Sequence, residues 1–429
     1  MEKKQKNNLV LPEEALVKIL ARCSLRSIAK FRSVCKEWKS MIDCDFFRDF
    51  YESLNSSSSS VSWSIMDNKS KTEIVGHHGC KRWGLTNSLG SFITRYNPET
   101  TVRKTCVLCC TDGLVLLYTE TMEGAPMYHV GNPLLRQWVR IPFPPHLSGY
   151  DVVRLQENQN FNDNGLVTKM EKGIAVGYKV VWTLVSCVVS NELTFMIYSS
   201  ETGLWITKEV RCLRSLIWSR LAHSVPLNGV LHWLATIDNS SVDANYVVAY
   251  DFYNGGDECP IVPFPDIQQF QATRLFKRTM TTSAGFVVYF NVYSDNNEGE
   301  RAIRVWRLVS TNEHPNSWQL LWKVNTKGGG VDYLPVVMHP FKSDIIYCWS
   351  CNKNALVLFD LRARKHSFHK EEKKNKSMDG CIMTFSGCKE YMDLIYPKIV
   401  NDMYSGAHNL FFSQYVLPRW LNPLPNLSS

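Results

Sequence analysis

The chain has 429 residues, of which 45% are hydrophobic and 21% charged, and a formal net charge of +8. These values are ordinary for a globular protein and exclude a disordered chain, while the length predicts either a small domain joined to a large one or one very large β domain. We interpret the basic surplus as spread along the chain, which argues against nucleic-acid binding, and no stretch approaches the about 20 apolar residues that cross a membrane.

The 14 cysteines bear on the compartment and on metal binding. Residues 1–8 are polar and lack the apolar core of a secretory signal, so we expect reduced thiols and a location in the nucleus, the cytoplasm or both. Cys106-x-x-Cys109-Cys110 and Cys348-x-x-Cys351 have the spacing of half a zinc site. Both lie in apolar, strand-like runs without the tight turn of a metal knuckle, so we expect structural cysteines, no metal and no cofactor.

Residues 9–51 have the periodicity of helices. Leu11-Pro12-Glu13-Glu14 places proline and acidic residues in a first turn, which favours a helix N-terminus. Three runs follow with apolar residues three and four positions apart: Leu16, Ile19 and Leu20; Leu25, Ile28 and Ala29 after the potential cap Ser24; Val34, Cys35, Trp38, Met41 and Ile42. We predict three short helices that end near residue 47.

A helical unit of this size buries only a small core by itself, which implies that it binds a partner protein. Its apolar side chains exceed what three short helices can pack, and we expect some of them to face that partner; the alternative is that all of them are internal core. Residues 1–51 contain 11 Lys and Arg against 7 Asp and Glu. This surplus of 4 suits an acidic partner.

The run Phe31-Arg32-Ser33-Val34-Cys35-Lys36-Glu37-Trp38, together with Leu11-Pro12-Glu13-Glu14, resembles the plant F-box. The resemblance implies docking onto a Skp-type adaptor, which in turn holds the cullin scaffold and its RING subunit. It assigns eight residues to that contact or to its support: Leu11, Pro12, Leu16, Ile19, Leu20, Val34, Cys35 and Trp38. Two departures fall at helix junctions, with Cys23-Ser24 where the family often has Leu-Pro and Cys44-Asp45 where it has Asp-Pro.

A serine run at 56–60 is too polar to pack, so residues 52–61 are predicted to be a linker between domains 1–51 and 62–429. Beyond it, short apolar runs alternate with clusters of Gly, Asn, Asp and Pro, which indicates strands. Four runs are apolar on both faces and follow a turn: 112–118, 228–234, 284–290 and 344–349. Five hairpins have a large residue on the return strand: Trp138, Trp205, Ile261, Trp318 and Phe368.

Those return-strand residues follow one another at intervals of 67, 56, 57 and 50 residues, a repeat typical of kelch-type propeller blades. The strict kelch Gly-Gly signature is absent, and the pattern resembles the F-box-associated interaction domain of plants. We predict an α+β multidomain protein: a three-helix F-box followed by an all-β, kelch-like propeller of six or seven blades. Residues 62–105 and 377–429 would close the ring, and a two-sheet sandwich is the alternative.

The sequence has no Walker loop, His-Glu-x-x-His pair or Gly-x-Ser-x-Gly elbow, and Asp251 and Asp360 are interpreted as turn acids. The resemblance implies a non-catalytic substrate receptor of an SCF-type ubiquitin ligase, which directs an unknown bound protein to ubiquitination and degradation. The alternative of a propeller enzyme similar to galactose oxidase is not supported, because the sequence lacks the spacing of copper ligands. The alternative of a non-degradative scaffold or transcriptional cofactor remains open. We expect substrate recognition in three polar segments: 158–164, 238–245 and 294–301.

Overall fold

The computed structural model describes most of the chain, and four helices come first in it. α1 is Glu13–Leu20, α2 is Leu25–Phe31, α3 is Lys36–Asp43 and α4 is Asp45–Asn55; together they are called the helical module. No helix in the described ranges is long and apolar enough to span a membrane. These ranges are 11–55, 61–67, 73–77, 82–85, 93, 102–145, 164–184, 189–217, 224–235, 246–266, 277–294, 301–310, 317–325, 333–350, 352–368, 381–383, 412–421 and 423–425.

Helices α1 to α3 were predicted from the sequence, whereas α4 was not. It continues past residue 47 because Phe47 and Tyr51 provide a second buried stripe four residues apart. Residues 52–55, assigned to the linker by their polarity, are therefore the last turn of α4, which corrects the start of that linker. The serine run at 56–60 lies outside the described residues.

The strands of the described residues form six sheets, which are the blades of a β-propeller. Blade 1 contains β1 Trp63–Asp67, β2 Glu73–His77, β24 Cys381–Met383 and β25 Phe412–Val416; blade 2 contains β3 Val102–Thr111, β4 Leu114–Thr121, β5 Pro126–Asn132 and β6 Gln137–Ile141. Blade 3 contains β7 Asn164–Glu171, β8 Ile174–Leu184, β9 Val189–Ser199 and β10 Trp205–Ile217; blade 4 contains β11 Val225–Leu227, β12 Val230–Ala235, β13 Tyr246–Asp251 and β15 Ile261–Pro263. Blade 5 contains β16 Lys277–Ser283, β17 Phe286–Ser294, β18 Arg301–Val309 and β19 Ser317–Asn325; blade 6 contains β20 Tyr333–His339, β21 Lys342–Ser350, β22 Ala355–Asp360 and β23 Lys365–Phe368. The remaining strand, β14 Glu258–Cys259, leaves blade 4 and pairs in parallel with β10 of blade 3.

The predicted propeller is confirmed, with six blades. The four doubly apolar runs are the second strands β4, β12, β17 and β21, and the five large return-strand residues lie on the fourth strands β6, β10, β15, β19 and β23. Both central residues of four first-to-second turns have positive φ, as in the turn at Asp112 (φ 45°) and Gly113 (φ 80°). Such turns match the twist of antiparallel strands. Asp251 and Asp360 accept hydrogen bonds from turn amides at 2.8 Å, as predicted for turn acids.

The first and the last strands of the propeller both lie in blade 1, as predicted for ring closure. The strand β1 pairs with β2 on one side and with the C-terminal strand β25 on the other. β25 lies beside β3 of blade 2. On the other side, Gln414 of β25 donates to the backbone oxygen atoms of Thr282 in blade 5 (3.0 Å) and Met338 in blade 6 (3.2 Å). The C-terminal strand therefore holds the inner ring together.

The helical module packs on one face of this ring, which is called the module face. Lys172, in the first turn of blade 3, lies 2.6 Å from Asp45 of α4. The first turn of blade 2 lies against residue 418: a Cβ atom on Gly113 would come within 2.8 Å of Pro418. Because inner strands of neighbouring blades run in the same direction, all first-to-second turns share the module face, and second-to-third connections lie on the opposite, distal face.

The helical module and the propeller share one apolar cluster, which is called the junction cluster. It combines buried residues of all four helices with residues of blades 1 and 2 and of the segment 417–421 that follows β25. Trp420 of that segment joins α4, since its ring centroid lies 6.0 Å from that of Phe47 and 5.2 Å from that of Tyr51. Burial of aromatic side chains is a large stabilising contribution. The helical module therefore packs directly against the propeller through a shared core.

Arg82 adds a polar bond network to the junction cluster. Its guanidinium group donates to Glu52 at 2.9 Å and to the backbone oxygen atoms of Asn55 at 2.8 Å and Arg419 at 3.0 Å. Its own backbone oxygen accepts from Leu25 N at 2.7 Å and from the Tyr51 hydroxyl at 3.3 Å. One residue thus fixes the start of α2 and the end of α4 to the C-terminal segment.

Phe47→Ala is expected to destabilise the whole chain. The side chain is fully buried in the junction cluster, and such truncations cost about 3–5 kcal/mol. We expect the denaturant midpoint to fall for far-ultraviolet circular dichroism and for tryptophan fluorescence alike, because the module and the propeller share a core.

Phe46→Ala is the matched control, since the adjacent ring is 70% exposed and its loss should change stability by less than about 0.5 kcal/mol. Equal effects of the two substitutions, or a helix transition separate from the propeller transition, would contradict a shared core.

Candidate adaptor-binding surface

Helix α1 carries two apolar stripes on different sides. Val17, Leu20 and the following Ala21 are buried in the junction cluster. Pro12 at the N-terminus of α1 is exposed, Leu16 is half-buried and Ile19 is 51% exposed. These three positions are four and three residues apart, so they lie along one side of the helix. Leu16 packs against the edge of the junction cluster, whereas the exposed Pro12 and Ile19 are not among the residues of that cluster.

The connection from α2 to α3 presents the second part of this surface. Val34 is 63% exposed. The next residue, Cys35, accepts a hydrogen bond from the backbone N of Trp38 at 3.4 Å and so caps α3. Trp38 is half-buried and packs edge-on against Phe31, with centroids 5.5 Å apart. A short ion pair of Arg32 Nε with Asp43 Oδ1, at 2.5 Å, braces the ends of α2 and α3.

Both departures from the F-box pattern provide helix caps. Ser24 Oγ accepts from the backbone N of Ser27 at 3.3 Å at the start of α2. Cys44 Sγ accepts from the backbone N of Phe47 at 3.4 Å at the start of α4. Capping satisfies amide groups that a helix leaves without partners. The helix junctions are thus formed without the prolines that are frequent at these positions.

The structure places the eight predicted contact residues in three environments. Leu11, Pro12, Ile19 and Val34 are exposed; Leu16, Cys35 and Trp38 are half-buried; Leu20 is 2% exposed and belongs to the junction cluster. Seven residues are therefore at least partly available to a partner, while Leu20 acts from the core by holding α1 in place. The four exposed residues, Leu11, Pro12, Ile19 and Val34, are called the adaptor surface.

Sequence reasoning missed the exposed side of α4. Phe46 is 70% exposed, stacks on Phe50 with centroids 6.3 Å apart, and precedes Leu54, which is 43% exposed. The spacing 46, 50 and 54 is a helical stripe. This stripe was not predicted because the helices were expected to end near residue 47.

The buried cysteines and histidines of the propeller have structural environments. Burial raises the pKa of Cys106 to about 11 and of Cys109 to about 12, so neither thiol ionises near neutral pH. His232 is buried and His339 is half-buried, and burial lowers the pKa of both to about 4. His232 bonds to Val225 O at 3.1 Å, and His339 packs against Trp63 with centroids 4.8 Å apart. Within the described ranges no three His, Cys, Asp or Glu side chains form a group that could hold a metal.

A small cavity lies among the inner strands of the propeller in the described part of the chain. Its volume is about 40 Å³, and it is lined by side chains of blades 1, 2, 4 and 5 that include Cys109, Val225, Thr281 and Gln414. Such a volume accommodates a few water molecules and not a peptide.

The three polar segments predicted for recognition lie outside the described residues, apart from their ends at Asn164, Ser294 and Arg301. The strands that they join are described. Asn164 begins the inner strand β7, and the other two segments connect the second and third strands of blades 4 and 5. By the alternation of strand direction, all three are attached at the distal face.

Comparison with known proteins agrees with both parts of the fold. The family model for the F-box domain matches residues 9–49. The model described as "F-box protein At3g26010-like, beta-propeller" matches residues 61–426.

Relatives from Arabidopsis thaliana match along the full length. The chain is 49% identical to At3g23950, covering 97% of this chain and 98% of that protein, and 48% identical to At3g23970, with the same coverage; both are named as F-box proteins. It is 35% identical to At1g15680, named as an F-box/kelch-repeat protein, covering 99% and 97%. The chain therefore belongs to the F-box proteins that carry an At3g26010-like β-propeller.

Proposed function

We propose that this protein is the substrate receptor of an SCF-type ubiquitin ligase. Its F-box docks onto a Skp-type adaptor, and through it onto the cullin and the RING subunit, while the propeller holds a protein destined for ubiquitination and degradation. The observation that carries the proposal is the adaptor surface: the exposed apolar residues of an F-box fold whose other apolar side is buried against the propeller.

The exposed apolar side chains of the F-box are the proposed contacts of a partner. Ile19 and Val34 are 51% and 63% exposed, and apolar residues that form a contiguous exposed patch mark a protein-interaction site. The buried stripe of α1 already stabilises the fold, so the outward residues are free to contribute to binding. The surplus of positive charge in residues 1–51 favours an adaptor with acidic groups.

The proposed receptor contributes geometry and no chemistry. In such a ligase the receptor brings a lysine of the bound protein near a ubiquitin-charged conjugating enzyme, and proximity accelerates the transfer. The junction cluster and Arg82 fix the F-box relative to the propeller, so the position of a bound substrate relative to the adaptor is set by the fold. A loose tether would spread that position over a large volume.

Ile19→Glu combined with Val34→Glu is expected to weaken adaptor binding at least thirtyfold. The new carboxylates would be buried against an apolar partner surface, and loss of a single buried anchor already costs about 2 kcal/mol or more. The measurement is the affinity of the purified protein for a purified Skp-type adaptor. Both positions are exposed, so the variant should fold, whereas Trp38→Ala would also remove the packing on Phe31.

Leu213→Glu is the matched control, because Leu213 on the outer strand β10 is 82% exposed and lies on the propeller. It should leave adaptor affinity unchanged. If the folded double variant binds the adaptor as tightly as the unchanged chain, the adaptor surface is assigned wrongly.

The same double variant, expressed in cells as a full-length chain, is expected to retain its substrate and protect it. The unchanged protein should recover its substrate in affinity purifications mainly under proteasome inhibition, and the variant should recover the same protein with or without the inhibitor. Mass spectrometry of the recovered proteins measures both. Identical recovery in all four conditions would favour a non-degradative scaffold.

A further inference from the structure

The positive charge of this protein is concentrated in two places. Residues 301–368, which run from the third strand of blade 5 to the end of blade 6, contain 10 Lys and Arg against 4 Asp and Glu. Their surplus of 6 and the surplus of 4 in residues 1–51 exceed the net charge of +8 of the whole chain. The interpretation of an evenly spread charge therefore needs correction.

On the module face, blades 5 and 6 bring part of this charge together with two exposed phenylalanines. The first turns of the two blades are bonded to each other, with Ala284 N donating to Pro340 O at 2.7 Å. Phe286 follows the turn of blade 5 and is 37% exposed, and Phe341 lies within the turn of blade 6 and is 43% exposed. The Arg307 guanidinium carbon lies 4.7 Å from the Phe286 ring centroid, and Arg307 Nε donates to Gln319 at 2.8 Å. This cation is thus held in place beside an exposed ring.

The third turn of blade 6 extends the same surface. Leu361 N donates to Asp344 O at 2.8 Å, and Arg362 Nε lies 3.1 Å from Asp344 Oδ2. Asp360 pairs in register with Lys365, and its Oδ1 is occupied by the backbone N of Ala363. The two carboxylates are therefore engaged within the fold. The basic patch, as we call this surface, has five cations among the described residues: Arg307, Lys342, Arg362, Arg364 and Lys365.

We propose that the basic patch binds an acidic segment of the substrate protein, rich in Asp and Glu and carrying an apolar side chain. This inference rests on the proposed receptor function and names the class of substrate. Five cations beside two engaged carboxylates attract a negative partner. Exposed phenylalanine rings provide an apolar contact that a purely ionic ligand would not use.

The size of the patch favours a peptide segment over a nucleic acid. Sequence-independent binding to a duplex typically uses about 6–10 phosphate contacts. The patch has five cations, of which Arg362 is already paired with Asp344. Because it lies on the module face of blades 5 and 6, it is separate from the distal attachment of the three polar segments and from the adaptor surface.

The test uses the full-length protein and a fluorescein-labelled peptide that repeats Glu-Glu-Phe. We expect saturable binding by fluorescence anisotropy that weakens with added salt. Lys342→Glu combined with Lys365→Glu should lower the affinity at least about tenfold, because two favourable charge contacts become repulsive. Both side chains are exposed, and thermal unfolding checks that the variant is folded. If it is not, Lys342→Gln with Lys365→Gln takes its place, with a smaller loss expected.

Arg211→Glu combined with Arg214→Glu on β10 makes the same charge change at exposed positions of blade 3 and should alter the affinity less than twofold. A peptide with Gln for Glu should not bind. The proposal is overturned if the labelled peptide fails to bind, if the control pair weakens binding as much as the patch pair, or if a single-stranded oligonucleotide displaces the peptide at lower concentration.

Adaptor affinity separates this inference from the proposed function. The patch variant should bind the Skp-type adaptor normally, and the Ile19→Glu, Val34→Glu variant should bind the peptide normally. Loss of adaptor binding in the patch variant would assign the patch to the adaptor interface and overturn the inference, whereas loss of adaptor binding only in the F-box variant leaves both proposals standing.

Discussion

The C-terminal segment from Phe412 to Leu421 is the constraint on which the rest of the structure depends. Its first half is β25, the strand that closes the six-blade ring, and its second half seats the F-box through Trp420. The same segment therefore both closes the ring and attaches the F-box to it. Arg82, bonded to Glu52 and to backbone oxygen atoms on both sides, adds charge-assisted hydrogen bonds that separation of the F-box from the propeller would break.

This arrangement explains how the protein acts in ubiquitination as proposed. One side of α1 is buried in the junction cluster. Because this packing fixes the helix on the propeller, its other side has a fixed orientation relative to the propeller. The module face then carries the two proposed binding surfaces, the F-box residues over blades 1 to 3 and the basic patch over blades 5 and 6. Their separation is set by the rigid ring and not by a flexible linker.

Much of the fold could be predicted because its signals are local. Helical spacing placed α1 to α3, and the turn-plus-strand repeat placed the second and fourth strands of the blades. The contacts missed are long-range: Arg82 meets Glu52 and Arg419 across 30 and 337 residues, and α4 is helical where polarity indicated a linker. The proposed basic patch was missed likewise, since Arg307, Lys342 and Lys365 lie on three different strands that share one face only when blades 5 and 6 are assembled. The contact residues of the F-box came from its resemblance to a family, and only the structure separated exposed Ile19 from buried Leu20.

Native-state hydrogen exchange followed by mass spectrometry tests most directly whether the F-box and the propeller are one unit. If they share a core, amides of α4 and of residues 412–421 should open with the same free energy and shift together when denaturant is added. The account would be contradicted if α4 exchanged at a much lower free energy than β25, with the propeller strands unaffected by its opening.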